Sequence, residues 1–150
     1  MIKFEQLPAD ILARIPAVTD ALQNDENVLF AYLFGGLATS RRNPLSDIDI
    51  AVFVGNTAGL DEYRLALFDR LTDALGTSEL DLVILNGAPL SLAGRILQNR
   101  RILVDKRPFR RHAYESLTLR EFFDFRVKEE AFFTRRFAHG RYDRRPEKAR

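Results

Sequence analysis

The chain reads as an α/β or α+β layer, with helices laid on a small sheet, and three observations predict it. Stretches with apolar residues at three- and four-residue steps alternate with short apolar runs rich in β-branched and aromatic residues. Glycine, asparagine and proline mark most of the joints between them. The 150 residues, 46% hydrophobic and 29% charged, have the size and balance of one soluble domain with one core.

Leu7 to Gln23 is the opening helix, because Leu7, Ile11, Leu12, Ile15, Val18, Ala21 and Leu22 fall on one stripe. Pro8 suits its first turn, where the missing N–H is not needed, whereas Pro16 predicts a kink or a break. Asn24-Asp25 closes the segment with turn chemistry. Val28 to Phe34 is a strand ended by Gly35-Gly36, and Leu37 to Arg42 reads as a short helix stopped by Asn43-Pro44. Ile48 to Val54 is the second strand. Gly55-Asn56-Thr57 then turns the chain into a helix from about Leu60 to Leu75, with Tyr63, Leu67, Phe68 and Leu71 inward and Gly76 as a left-handed cap.

Leu80 to Leu85 is the third strand, Asn86-Gly87 a turn, Pro89 to Asn99 a helix, and Arg101 to Val104 a short fourth strand. A long helix follows Pro108, to about residue 138, and carries Phe122, Phe123, Phe125, Phe132, Phe133 and Phe137. Those rings either pack on the sheet or mark a partner interface, and opposite helix faces allow both. Residues 139–150 read as a frayed end. With no repeat and no linker, residues 1–150 are taken as one domain, with a core over about 7–105 and a helical extension over about 108–138.

Charge is unevenly spread. Residues 100–150 hold 16 Lys/Arg against 8 Asp/Glu, while the rest of the chain holds 7 against 13, so the small net charge of +2 conceals a basic end. That end suits an anionic partner or a solvated helix face. No run of about 18 apolar residues is present, so no membrane span is expected. The N-terminus lacks a continuous apolar signal core, and zero cysteines exclude disulfides and thiolate metal sites. A cytoplasmic location is expected.

Chemistry concentrates around three acids. Asp47 and Asp49 lie on one strand, and strand alternation points them the same way, with Ile48, Ile50 and Val52 opposite. Gly35-Gly36 precedes them by ten residues, and Asp81 is a lone acid near the start of the next apolar strand. Carboxylates are costly inside strands unless paired or metal-bound. Two carboxylates one pleat apart suit Mg²⁺, which takes its remaining ligands from water and substrate phosphates. A glycine turn opening a helix lets backbone N–H groups approach a triphosphate. A third acid in the same cleft completes a metal site or takes a proton from an attacking hydroxyl. An isolated Asp-x-Asp is a weak signal, and Ser46-Asp47 after Pro44 also suits a turn. It is the combination that is specific.

In these residues the chain resembles the minimal nucleotidyltransferases (MNT) of the DNA polymerase beta superfamily. Their signature is Gly-Ser, ten residues, Asp-x-Asp and a later Asp. Leu33-Phe34-Gly35-x-x-Ala38 followed by Ser46-Asp47-Ile48-Asp49 carries the match. The resemblance implies a polymerase beta-like fold, a small mixed sheet flanked by helices with a long C-terminal helix. It implies that Asp47, Asp49 and Asp81 bind one or two Mg²⁺ ions and act in catalysis. Gly35 and Gly36 would face the phosphates of ATP. Gly36 stands where the family has serine, and Thr39-Ser40 where it often has Arg-Gly; backbone donors, Ser40, Arg41 and Arg42 are the groups available to replace the missing hydroxyl, and Ser46 is read as nucleotide-binding with Ser40 and Arg41.

Many small members of this family are antitoxins paired with a HEPN-domain ribonuclease toxin. The resemblance implies transfer of AMP from ATP to a toxin tyrosine, with the C-terminal helix as the docking surface. Two alternatives stay open: an antitoxin that neutralises by binding alone, and a small-molecule nucleotidyltransferase. Direct nucleic-acid binding is not expected. Arg107, His112 and Tyr114 fit the Arg-x4-His-x-Tyr spacing of HEPN ribonucleases, but the segment after Asp105 is too short for that helical bundle. His112 is therefore read as a surface helix residue and His139 as a helix-end residue.

Overall fold

The computed structural model describes residues 11–38 and 47–148, with side chains described for these except Leu37 and residues 137–148. In chain order the elements are α1 (Ile11–Gln23), β1 (Val28–Phe34), α2 (Gly35–Ala38), β2 (Ile48–Val54), α3 (Leu60–Leu75), β3 (Leu80–Ile84), α4 (Leu90–Gln98), β4 (Arg101–Asp105) and α5 (Pro108–Lys148). The four strands form one mixed sheet in the order β3-β2-β1-β4. β1 is antiparallel to both β2 and β4, while β2 and β3 are parallel. A parallel pair needs a crossover, and α3 supplies it.

α1 runs through Pro16 without a break. Both Pro16 and Leu12, whose carbonyl loses its partner, are exposed, so that carbonyl lies on the water side of the helix. The predicted start of this helix, from Leu7, lies outside the described residues. The helical turn after β1 begins at Gly35, two residues before the predicted Leu37, and the rest of that predicted helix lies outside the described residues. α5 continues to Lys148, well past the predicted end near 138. Gly76 caps α3 with φ 71°, its N–H donating to the Thr72 carbonyl, and the Arg14 guanidinium donates to the Leu75 carbonyl at 2.7 Å.

The sheet has two unlike faces. On one, Ile48, Ile50, Val52, Leu80 and Leu82 meet Ile11, Ile15, Val18 and Leu22 of α1 and Leu67, Leu71 and Leu75 of α3 in an all-apolar core. On the other, Phe30, Tyr32, Ala51 and Leu85 meet Ile96 and Leu97 of α4, with Tyr114 and Leu119 of α5 at the margin. α4 and α5 approach closely at Gly94, where any Cβ would overlap the Phe122 ring.

α5 buries Arg111, Glu115, Thr118 and Phe122, one stripe at three- and four-residue steps. Beyond Phe122 every described side chain up to residue 136 is exposed, including Phe123, Phe125, Phe132 and Phe133. Among the described phenylalanines of that run only Phe122 is buried, and it packs on α4 at Gly94 rather than on the sheet. At about 1.5 Å per residue, the helix leaves the body as an arm. Among the described residues no helix is long and apolar enough to cross a membrane.

Candidate active site

β2 alternates strictly. Ile48, Ile50 and Val52 enter the α1/α3 core, so Asp49 shares the opposite face with Ala51 and Phe53. Asp47 stands just before the strand, half-buried, with its Oδ1 shielded from solvent. The parallel register sets Asp49 directly beside Asp81. Asp81 lies between the buried Leu80 and Leu82 and is itself exposed, on the same face as Asp49. Neighbouring strands lie about 4.8 Å apart, so two acids share one step of the sheet.

On its other side Asp49 is paired with Phe34, the last residue of β1. The next residue, Gly35, has φ 71°, and a Cβ there would overlap Asp49 Oδ2. Glycine is required twice over: the left-handed backbone disfavours any other residue, and the Asp49 carboxylate occupies the space of a side chain. The turn therefore makes room for the acid. Gly36 follows in the first turn of α2, half-buried. Ser40, Arg41 and Ser46 lie outside the described residues.

A cleft of about 370 Å³ opens beside Asp81, walled by Asp61 and Arg64 of α3, Asn86, and Leu92 of α4. Arg64 donates from Nε and Nη2 to the Leu82 carbonyl, at 3.1 and 2.9 Å, which fixes α3 to the β3 edge next to Asp81. A second depression of about 260 Å³ adjoins Gly35 and Phe34, walled by Leu92, Arg95 and Asn99. Arg64, Arg95 and Asn99 were not singled out by their sequence spacing. Nothing in the order of residues tells that α3 and α4 bring them to the two sides of the acids.

The donor set is all carboxylate oxygen, hard and anionic, which fits Mg²⁺ and excludes a thiolate-type metal. Among the described residues no three acidic or histidine side chains are drawn together around one point as a ready-made metal site. What the sheet aligns is the backbone positions of Asp49 and Asp81, and like charges that near repel unless a cation lies between them.

Beneath α5 lies a second polar cluster. The Tyr32 hydroxyl donates to Glu115 Oε2 at 2.7 Å, Arg100 Nε donates to the same oxygen at 2.9 Å, and Arg111 Nη1 donates to Oε1 at 3.0 Å. Arg111 Nε also lies 3.0 Å from Asp105 Oδ2 of β4. Burial pushes the Glu115 carboxyl up, but the Tyr32 and arginine contacts more than offset it and hold it below the usual glutamate range. The same burial, with the neighbouring Glu115, raises the Tyr32 phenol well above its ordinary value. These groups join β1, β4 and α5.

The HEPN-like spacing does not assemble a site. Tyr114 packs against Phe30 and Phe53, at 5.7 and 5.1 Å between ring centroids, while Arg107 and His112 are exposed. His139 lies among the residues whose side chains are not described.

The fold resembles solved toxin–antitoxin structures. A chain from a toxin–antitoxin crystal with AMP-PNP superposes with TM-score 0.59 at 22% identity, covering 85% of this chain and 95% of that one. A chain from a mutant MntA toxin–antitoxin complex gives 0.62 at 21% identity, covering 83% and 96%. A chain from the tri-AMPylated Shewanella oneidensis HEPN toxin in complex with its MNT antitoxin gives 0.58 at 21% identity, covering 85% and 96%. At these identities the likeness is one of fold. A comparison with curated proteins finds no match. Residues 17–109, from the middle of α1 into α5 and including all three acids, match the sequence family described as Polymerase beta, Nucleotidyltransferase, and the chain belongs to that family.

Proposed function

We propose that this chain transfers AMP from ATP to a tyrosine hydroxyl of a HEPN-domain toxin, and so acts as that toxin's antitoxin in the cytoplasm. The observation that carries the chemistry is the side-by-side register of Asp49 and Asp81 next to Gly35. The partner is supported by the solved structures of similar fold, one with AMP-PNP and one with an AMPylated HEPN toxin.

In the reaction, the tyrosine oxygen bonds to the α-phosphorus of ATP. The bond from that phosphorus to the oxygen bridging to the β-phosphorus breaks, and pyrophosphate leaves. The phenolic proton passes to a base, a role we give to Asp81, the exposed acid at the open cleft. Asp47 and Asp49, with Asp81, are the residues that would hold Mg²⁺, which when bound neutralises charge on the triphosphate and its leaving group. Gly35 and Gly36 let the backbone approach the phosphates, and Ser40, Arg41 and Ser46 are assigned to the same end of the nucleotide. An added AMP places a bulky anion on the toxin, the kind of charge change that blocks an RNA-binding surface.

The exposed α5 arm is the docking surface in this proposal. Phe123, Phe132 and Phe133 present apolar area among Arg126, Lys128, Arg135 and Arg136, the aromatic and arginine mixture that favours protein interfaces. Labelled ATP and Mg²⁺ with the cognate toxin should transfer label, and the Asp47→Asn/Asp49→Asn double variant should lower the rate by about 10³-fold or more. Transfer that survives in the double variant overturns the site assignment. The projecting arm and the missing hydroxyl at Gly36 favour a second reading, neutralisation by binding alone. In that case the double variant would still protect cells from the toxin.

A further inference from the structure

The depression beside Gly35 shares a wall with a second hollow. Arg95, one of its walls, also walls a groove of about 360 Å³ between α4 and α5, together with Ser91, Phe122, Phe125, Arg126 and Glu129. Ser91 and Arg95 lie one turn apart on α4 and Asn99 caps its C-terminus; Ser91 lines the groove, Asn99 the depression, and Arg95 both. Joined across Arg95, the two hollows of about 360 and 260 Å³ would fall in the size range of small-molecule sites, about 300–1,000 Å³.

Its chemistry changes along its length. At the Gly35 end stand the positive-φ glycine, the Arg95 guanidinium and the Asn99 amide, donors suited to phosphate oxygens. At the α5 end the half-exposed Phe125 ring offers a stacking face, and Arg126 lies over the Phe122 ring with its charge close by. Hydrogen-bond donors at one end and an aromatic plate at the other suit one molecule with a polyphosphate tail and a flat base.

We infer that the two hollows join across Arg95 into one trough and that this trough is the nucleotide seat, with Arg95 as its phosphate anchor and Phe125 as the platform for the base. The inference rests on the nucleotidyltransferase reading and extends it to residues outside the acid motif. It also assigns a donor in place of the hydroxyl that Gly36 lacks: the Arg95 guanidinium of α4, which lines the same depression as Gly35. Leu92 walls both the Asp81 cleft and the Gly35 depression, while Asp49 lies against Gly35 on the anchor's side. The Asp81 side is left open for the acceptor hydroxyl.

Calorimetric titration of the full chain with AMP-PNP and Mg²⁺, and separately with inorganic tripolyphosphate and Mg²⁺, tests this. Arg95→Ala should weaken both ligands by about 10- to 100-fold, the range for one charge-assisted contact. Phe125→Ala should weaken AMP-PNP by about 5- to 100-fold and leave tripolyphosphate unchanged, because only the base stacks. Arg95 is exposed and its Nε donates to the Ser91 carbonyl of its own helix at 3.2 Å, so the variant should keep the native melting temperature. Unchanged AMP-PNP affinity in Arg95→Ala overturns the inference, as does equal loss of both ligands in Phe125→Ala. Arg95-dependent AMP-PNP binding without transfer to the toxin would uphold the seat while refuting the toxin as acceptor. Failure of the native chain to bind AMP-PNP at all would overturn both.

Discussion

The two faces of the sheet are built from different materials. The α1/α3 face is a dry aliphatic core in which buried side chains need only volume and shape. The α4/α5 face has a smaller aromatic core, a buried ionic cluster around Glu115, and the acids Asp49 and Asp81. Apolar burial is tolerant, since methyl groups of one kind replace another at modest cost. A buried ionic cluster is not, because each member left behind is an unpaired charge. The first face is an apolar core, and the second carries the two acids and holds the α5 arm.

That contrast predicts different kinds of damage. Glu115→Ala leaves Arg111 and Arg100 without their shared acceptor, and should lower stability by about 3–5 kcal/mol. Leu71→Ala on the opposite face should cost about 2–5 kcal/mol through its cavity. Amide hydrogen exchange in the folded protein separates them. Glu115→Ala should speed exchange first in α5, whereas Leu71→Ala should do so across α1 and α3. Uniform loss of protection in both variants would show that the two faces act as one cooperative unit.

A smaller effect is expected at the joint between the faces. Gly35→Ala forces a Cβ into the Asp49 carboxylate at a left-handed position. The displaced acid should lower adenylyl transfer by about 100-fold, the scale of a misplacement of about 1 Å. Melting temperature should move far less than activity, because Gly35 is only partly buried at the rim of the core. A variant that loses stability and activity together would make Gly35 a folding residue rather than a positioning one.

Much of the fold was legible because local chemistry agrees with the tertiary structure. The Val28–Phe34 and Ile48–Val54 strands and the Leu60–Leu75 helix end where glycine or turn residues end them. The acids were legible for the same reason: a charge on an apolar strand stands out against its neighbours. Arg95, Asn99 and the Tyr32–Glu115 contact were not, because they depend on where α4 and α5 cross the sheet. Glu115 contacts Tyr32 across 83 residues, and one exposed arginine in a helix looks like any other. Gly94 was equally silent, since only the nearby Phe122 ring gives it a reason to be glycine. Pro16 misled in the other direction: its cost falls on the exposed side of α1, where water meets the freed carbonyl.

The mildest way to separate the faces is pH. Glu115 has its folded-state pKa held below the ordinary value of 4.5, chiefly against burial, by the Tyr32, Arg100 and Arg111 contacts. A depressed carboxylate contributes stability that is fully present above that ordinary value. The contribution is lost as pH falls through the folded pKa. Asp25, which joins the α1–β1 turn to α3, behaves likewise below its ordinary value of 3.8, its burial offset by Arg70, the Asn27 backbone and Tyr63. As pH falls from neutrality, the loss on the α5 side should begin before the loss at Asp25. Urea unfolding from pH 7 to pH 3 should show a slope that Glu115→Gln flattens in the upper part of the acid range, where Asp25→Asn leaves it intact. Identical slopes in the native chain and Glu115→Gln would remove Glu115 as the group that ties α5 to the sheet through its charge. Arg111 would then hold α5 through Asp105, the partner it keeps on β4.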